Sequence, residues 1–405
     1  MNRSNILVLT YWSWADALIQ TYTLPYLHFI RNAKPGSKIY LLTLEKPQLA
    51  LAENEKKITR DKLKAAGIIW LSLPYRRFGF APLIIWGVGL FRLAFLIFQK
   101  RIGTLHCWAT PAGAAGYFLS VLTSSTLIID SYEPHAESMV ENGTWTEHSI
   151  AFRLLFWLEK KQTQRAAHII SATEGMRGYA REKYGTEIKS FYVKPACVDL
   201  NLFSEKNVKD PILLKSLKLE DKIVCVYAGK LGGIYLDREV FDFLKIAADH
   251  WGDKFRFLLL SNQPKQSVEF FCKQSGFNQD QVILNFVPHA LVPSYMGLAD
   301  FAITPVKPVA TKRYCTPIKD GEYWALGLPV IIPKGISDDS MIIYENGIGA
   351  VLEDLDTTSY RLAVQQIEDI LKLPRAENFK KIRAIAVQYR NFDNASRIYQ
   401  RLYAE

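Results

Sequence analysis

The strongest constraint on this chain is a double series of short apolar runs separated by stretches of helical periodicity. In the first series the runs cover residues 6–10, 39–44, 68–71, 127–130, 167–171 and 191–193. In the second they cover 223–227, 255–260, 282–286, 301–304, 330–332 and 349–352. Short runs rich in Val, Ile, Leu and Phe between helices are the pattern of parallel strands buried on both faces. Two such series predict two doubly wound, Rossmann-like α/β units, and a length of 405 residues suits two domains. The periodicity lapses over 193–210, at Pro195, Val198-Asp199 and a polar run, so the expected division is 1–200 and 201–380. A last helix is expected near 377–403, with Phe379, Ile382, Ile385, Tyr389 and Phe392 at helical spacing. Open α/β sheets bind ligands outside the carboxyl ends of their strands, so the chemistry is sought just after the apolar runs.

Charge separates the two halves. The formal charge is +10, and residues 1–129 carry 15 Lys/Arg against 5 Asp/Glu, which accounts for the whole surplus. No acidic side chain occurs from Lys62 to Ile129. The same stretch holds Lys62, Lys64, Arg76, Arg77, Arg92, Lys100 and Arg101, with Trp70, Trp86 and Trp108 between them. Cations interleaved with aromatics suit a face that lies on anionic lipid. The plainer alternative is an apolar core with solubilising cations around it. A nucleic-acid partner is not expected, because the charge flanks apolar runs and no binding motif accompanies it. The apolar stretch 82–98 is interrupted by Arg92 and falls short of the ~20 residues that span a bilayer. Neither a transmembrane helix nor a signal peptide is expected. Five scattered cysteines without a C-x-x-C pair argue against a disulfide framework and fit a reducing cytoplasm.

The strongest local signal is Thr316-Pro-Ile-Lys-Asp-Gly-Glu-Tyr-Trp-Ala-Leu-Gly-Leu-Pro-Val-Ile. Pro317 sets the entry to a helix, with Ile318, Lys319 and Glu322 in its first turns. A helix N-terminus beside a lysine is an anion site suited to a diphosphate. A carboxylate one turn on can accept both hydroxyls of a ribose. An ordinary interstrand helix explains Pro317 and Gly327 but gives no reason for Lys319 and Glu322. The second signal, Val226-Tyr-Ala-Gly-Lys-Leu-Gly-Gly-Ile-Tyr-Leu-Asp-Arg-Glu, follows the first apolar run of the second series. Gly229, Gly232 and Gly233 let backbone approach a ligand, and Lys230 supplies a cation beside it.

Taken in order, these segments, Phe286-Val-Pro, Val292-Pro-Ser-Tyr and Ala299-Asp300 resemble glycosyltransferase family 4. In the first half Ile129-Asp130-Ser-Tyr-Glu-Pro-His-Ala-Glu137, Leu158-Glu159 and Pro195-x-x-Val-Asp-Leu-x-x-Phe203 sit in the family's order. The resemblance implies the GT-B fold, two facing Rossmann-like parallel-sheet domains with a central cleft, and a retaining, metal-independent transferase. It implies a nucleotide-sugar donor in the second domain and a glycan or lipid-linked acceptor in the first. Glu322 would hold the ribose, Lys230 and residues 316–319 the diphosphate, and Val287 and Pro288 would flank the base. His135 would contact the donor sugar, with Asp130, Glu133 and Glu137 near the acceptor. The segment 381–405 would return to the first domain. Two positions depart from the pattern. Tyr314 stands where many members have an acid, and Leu236 where many have a second cation, with Arg238 the nearest substitute.

Smaller candidates complete the reading. Tyr11, Trp12, Trp14 and Asp16 follow the first run, where an acceptor loop belongs, although core packing explains the aromatics equally well. Asp354-Leu-Asp356 matches a metal-binding D-x-D superficially but precedes a helix, where capping is the better reading. Neither metal nor other cofactor is expected. The expected setting is cytoplasmic, peripheral at the inner face of the membrane. The rival readings are a nucleotide-sugar 2-epimerase of the same fold and a non-catalytic nucleotide-sugar-binding protein.

Overall fold

The computed structural model describes residues 3–16, 18–75 and 80–404. The chain forms two compact units, Met1–Lys194 with Asp393–Glu405, and Pro195–Phe392.

The first unit opens with β1 (Asn5–Leu9), α1 (Leu24–Ala33), β2 (Ile39–Glu45), α2 (Glu53–Ala65) and β3 (Ile68–Pro74). It continues through α3 (Phe80–Gln99), β4 (Ile102–Trp108), α4 (Ala109–Thr123) and β5 (Thr126–Tyr132). Then come α5 (His135–Glu141), α6 (Ile150–Arg165), β6 (His168–Ser171), α7 (Gly175–Tyr184) and β7 (Phe191–Val193). The seven strands pair in parallel in the order β3-β2-β1-β4-β5-β6-β7. Strand β4 has no counterpart among the predicted runs. Thr104 and His106 break its apolar pattern, and Lys100-Arg101 hide its start after a long apolar helix.

The second unit contains α8 (Pro211–Ser216), β8 (Ile223–Ala228), α9 (Arg238–Trp251), β9 (Phe255–Leu260), α10 (Lys265–Ser275) and β10 (Val282–Asn285). After these come α11 (Val292–Met296), β11 (Phe301–Ile303), α12 (Ile318–Ala325), β12 (Val330–Pro333) and α13 (Asp339–Asn346). Strand β13 (Gly349–Leu352), α14 (Thr357–Leu371) and α15 (Arg375–Arg390) complete it. Its six parallel strands run β10-β9-β8-β11-β12-β13. Along β8, Val224, Val226 and Ala228 join one apolar cluster, while Cys225 and Tyr227 join the other. The period-two alternation thus feeds cores on both faces, as a sheet covered by helices on each side requires.

The expected boundaries at 200 and 380 need correction. The units change at Lys194/Pro195, and α15 stays with the second unit to its end. The Arg383 guanidinium donates to the carbonyls of Leu200 (2.8 Å) and Phe203 (2.9 Å), while Ile382, Ile385 and Ala386 lie in that unit's core. The predicted single helix over 377–403 is also two. Asn391 is extended, Val198 donates its amide to the Arg390 carbonyl at 2.8 Å, and α16 (Phe392–Ala404) begins afresh. Ala395, Tyr399, Leu402 and Tyr403 form the inward face of α16, so the returning segment is Asp393–Glu405.

Candidate active site

Each sheet reverses its strand order once, between β1 and β4 in the first and between β8 and β11 in the second. The crevice outside the carboxyl ends of the strands at such a point is where open α/β sheets take ligands. In the second unit both strong sequence signals converge there. Gly232 and Gly233 sit at φ +82° and +67°, a conformation that costs other residues about 1–2 kcal/mol. Leu231 is buried and anchors the loop, whereas neighbouring Lys230 is exposed. The Tyr227 hydroxyl donates to the Lys230 carbonyl at 2.8 Å. The loop is stitched to the segment after β11: Leu236 donates its amide to Pro305 (2.7 Å) and Lys307 to Ile234 (3.1 Å).

Helix α12 opens on the same edge. The Ala228 amide at the end of β8 donates to its Tyr323 hydroxyl at 3.1 Å, docking the helix beside the glycine loop. Pro317 stands at the N-cap, and no side chain caps the first amides. The Lys319 ammonium donates to the Glu322 carboxylate at 2.8 Å, and Glu322 is only 4% exposed. The residues assigned to phosphate and ribose therefore hold each other here. A carboxylate offers about four acceptor positions, so the pair leaves room for a hydroxyl donor. The Thr316 hydroxyl lies 3.3 Å from that of Ser337, whose φ of +52° marks a strained loop after β12. The Ser337 amide also donates to the carbonyl of Lys312, a buried cation just before the helix, at 3.0 Å, and motif spacing singles out neither residue.

Beneath α12 lies a polar cluster. Thr304 donates to the Asp320 carboxyl, and Arg390 pairs with Asp339, all four side chains being buried. Burial, then the neighbouring Asp339 carboxylate, push the Asp320 carboxyl well above the ordinary range. Burial thus favours the protonated form of Asp320, while the guanidinium lies against Asp339. Through Asp320 this inward face ties the first turn of α12 to Thr304, just after β11.

The remaining donor-side residues lie further out. Val287 is half-buried and Pro288 exposed after β10, the edge strand. Two strand spacings separate β10 from β8, about 10 Å, the order of length of a nucleoside diphosphate. Arg238 begins α9, exposed, with its guanidinium 3.6 Å from Asp242. Leu236, at the second-cation position, is buried in the core. Tyr314 is half-buried, with the Arg313 guanidinium 5.7 Å from its ring. Asp356 accepts the Ser359 amide at 2.8 Å and caps α14, the duty its context predicts.

In the first unit, α5 starts at His135 on the carboxyl edge of the sheet. The Tyr11 ring meets His135 edge-on at 6.0 Å, and Glu133 lies 3.7 Å from His135 Nδ1. Below them Glu159 is fully buried, accepting the Ala136 amide and the Tyr184 hydroxyl, each at 3.0 Å. Burial pushes its carboxyl up to about 7. Spacing alone does not single out Glu159, because its desolvation comes from tertiary packing. Glu137 lies 3.4 Å from Lys183. Trp12 is buried, with its carbonyl accepting the Leu44 amide, and Asp16 accepts the Leu18 amide to cap the turn after it. Of the two readings of this loop, Trp12 takes the core-packing one.

Asp130 requires the clearest correction. Its side chain is 0% exposed and engaged on both oxygens. One oxygen accepts the Ser131 amide (2.6 Å) and faces the buried Lys194 ammonium (3.2 Å). The other accepts from the Tyr399 hydroxyl (2.7 Å) and from His106 Nε2 (3.1 Å). A carboxylate only accepts, so His106 Nε2 is the donor to Asp130, and the Tyr403 hydroxyl lies 2.8 Å from His106 Nδ1. Burial opposes ionisation, but Lys194, His106 and Tyr399 outweigh it and hold the carboxyl down at about 2. Asp130 clasps β5, β7 and α16 together, with both oxygens engaged inside the unit.

Among the described residues, no helix is long and apolar enough to cross a membrane, and no group of three or more His, Cys, Asp or Glu is placed to hold a metal ion. Arg76 and Arg77 of the basic stretch lie outside the described residues.

Comparison with known proteins agrees with this architecture. Residues 297–384 match the model of the glucosyltransferase 3-like C-terminal domain. No curated protein sequence matches the chain. Sucrose-phosphate synthase from Thermosynechococcus elongatus superposes with a TM-score of 0.72 at 14% identity, over 99% of this chain and 100% of that one. Anabaena HepE in complex with UDP gives the same TM-score, identity and coverage. A UDP-N-acetylglucosamine 2-epimerase, so described, from Listeria monocytogenes gives 0.61 at 11% identity, over 98% of this chain and 95% of that one. The chain has the two-sheet GT-B fold of nucleotide-sugar glycosyltransferases.

Proposed function

We propose that the protein is a glycosyltransferase that takes a nucleotide-sugar donor at the switch point of its second sheet. One observation carries this reading: the left-handed Gly232–Gly233 turn, exposed Lys230 and the α12 start with Lys319 and Glu322 share one sheet edge. Departure of a nucleoside diphosphate builds negative charge. Preorganised backbone amides and ammonium groups stabilise that charge without reorganising, and no metal is needed for it. Lys230 and residues 316–319 serve the diphosphate, Glu322 the ribose, and Val287 and Pro288 the base. A UDP-sugar is the first donor to test, because the Anabaena HepE structure holds UDP.

His135, Glu133 and Tyr11 are assigned to sugar and acceptor, with Glu159 fixing the start of α5 beneath them. We place the enzyme in glycosyltransferase family 4, acting with retention on a lipid-linked or cell-surface glycan at the cytoplasmic face of a membrane. The test is donor turnover with and without acceptor lipids, followed by anomer-resolved NMR of the product. Wild type should transfer sugar in EDTA, and Glu322→Ala and Lys319→Ala should lose at least tenfold in kcat/KM. Turnover of donor to an epimer without any acceptor would instead identify an epimerase, and absence of turnover with every donor would leave a binding protein.

A further inference from the structure

A surface helix of a soluble domain buries its apolar stripe and turns polar side chains to water. Helix α3 keeps an apolar stripe on its outer face as well. Ile85, Val88, Phe91, Phe95 and Phe98 are all exposed, Phe91 at 71% and Phe95 at 70%. Their spacing of three, three, four and three residues puts them on one side of the helix. Helix α4 packs beside α3 and adds exposed Phe118, Val121 and Leu122. Helix α6 packs beside α4 and adds Trp157, whose ring meets Tyr117 edge-on at 6.5 Å. An apolar surface spread over three helices is more than scattered exposed residues and marks a site of interaction.

The charges around it select the partner. Arg92, Lys100 and Arg101 are exposed on α3 and the turn that ends it, and residues 62–129 contain no acid. The Arg3 guanidinium lies 4.9 Å over the Phe98 ring, and the Lys161 ammonium 5.8 Å from that of Trp157. Aromatics with cations beside them match the boundary between acyl chains and anionic headgroups. A second copy of the chain fits less well, because a two-fold contact would set these cations against their own images.

We propose that the outer face of α3 and α4 is a docking surface for an anionic bilayer, with Phe91, Phe95 and Phe98 entering the interface and Arg92 and Lys100 meeting headgroups. This deepens the membrane placement proposed above by naming the surface that carries it. It is a monotopic contact, with the helix in the plane of the membrane.

The experiment is co-sedimentation of the full chain, without donor, with vesicles of phosphatidylcholine alone or with phosphatidylglycerol. Wild type should pellet with the anionic vesicles and only weakly with the neutral ones. Phe91→Ser with Phe95→Ser should lower partitioning at least tenfold, while the circular dichroism melt stays unchanged. Arg92→Glu with Lys100→Glu should abolish the preference for anionic lipid and keep the residual neutral binding. Wild type that stays in the supernatant, or a serine variant that binds as wild type does, overturns the proposal. So does a lipid-free dimer that the serine variant converts to monomer, which would put a second copy on this face. Donor binding is read separately by thermal shift without lipid, so failure here and failure of the donor site are distinguishable.

Discussion

Asp130→Asn separates a structural acid from a chemical one. The substitution keeps the shape of the side chain but leaves the Lys194 ammonium buried beside an uncharged amide. Two routes give the cost. The carboxyl is held at about 2 against an ordinary value of 3.8, which at about 1.4 kcal/mol per pH unit corresponds to about 2.5 kcal/mol. Breaking a buried ion pair by removing one partner costs about 3–5 kcal/mol. A loss near 3 kcal/mol satisfies both, and for a unit of this size it lowers the melting midpoint by roughly 6–12 °C. The cation–π contacts of Lys194 with Tyr22 and Tyr26 soften the cost only in part. Adding Lys194→Met to Asp130→Asn should recover part of the loss, because it removes the orphaned charge. The pH dependence has a definite sign. A depressed carboxyl stabilises the fold above about 3.8, and that contribution disappears as pH falls towards 2. Differential scanning fluorimetry from pH 3 to 8 on wild type, the two single variants and the double variant is the assay. If Asp130→Asn keeps the wild-type midpoint and loses only sugar transfer, the clasp assignment is wrong and Asp130 acts in the chemistry.

Two further outcomes follow from the site. The Glu159 carboxyl sits raised, at about 7 against 4.5, so the folded state binds the extra proton between these values. Its contribution to stability is complete below about 4.5 and is lost as pH rises through 7; Glu159→Gln should flatten that decline, worth of order 3 kcal/mol. This is read from urea midpoints across pH 4–8, and a variant with the wild-type slope would refute it. Gly233→Ala should cost about 1–2 kcal/mol of stability from its φ of +67° and weaken nucleotide binding more than tenfold in calorimetric titration; wild-type affinity would contradict the glycine loop's role.

The fold was largely legible because strands buried on both faces leave dense local signals, such as those of residues 223–228 and 255–260. The exceptions share a cause. Strand β4 carries Thr104 and His106, and His106 is polar because it serves Asp130. The break at Asn391 is invisible to periodicity because Phe379 through Phe392 keep helical spacing, and the break is made by pairing with distant Val198. The family resemblance places Asp130 near the acceptor, yet the Tyr399 hydroxyl bound to it lies 269 residues away. The glycine turn and the helix start with Lys319 and Glu322 are local features that the sequence displays, and the structure puts both on one sheet edge. Glu159 and Asp320 owe their perturbed acidity to packing, which no spacing encodes.

The central claim is that a nucleotide-sugar binds at the β8–β11 edge through Glu322 and Lys319. A thermal-shift panel of UDP-, GDP-, dTDP- and ADP-sugars and their free nucleotides, in EDTA, tests it most directly. Binding to the folded state raises the midpoint by mass action. The account predicts that one nucleotide class shifts wild type and that Glu322→Ala abolishes the shift while keeping its own ligand-free midpoint. No shift from any nucleotide, or an equal shift in Glu322→Ala, would contradict it.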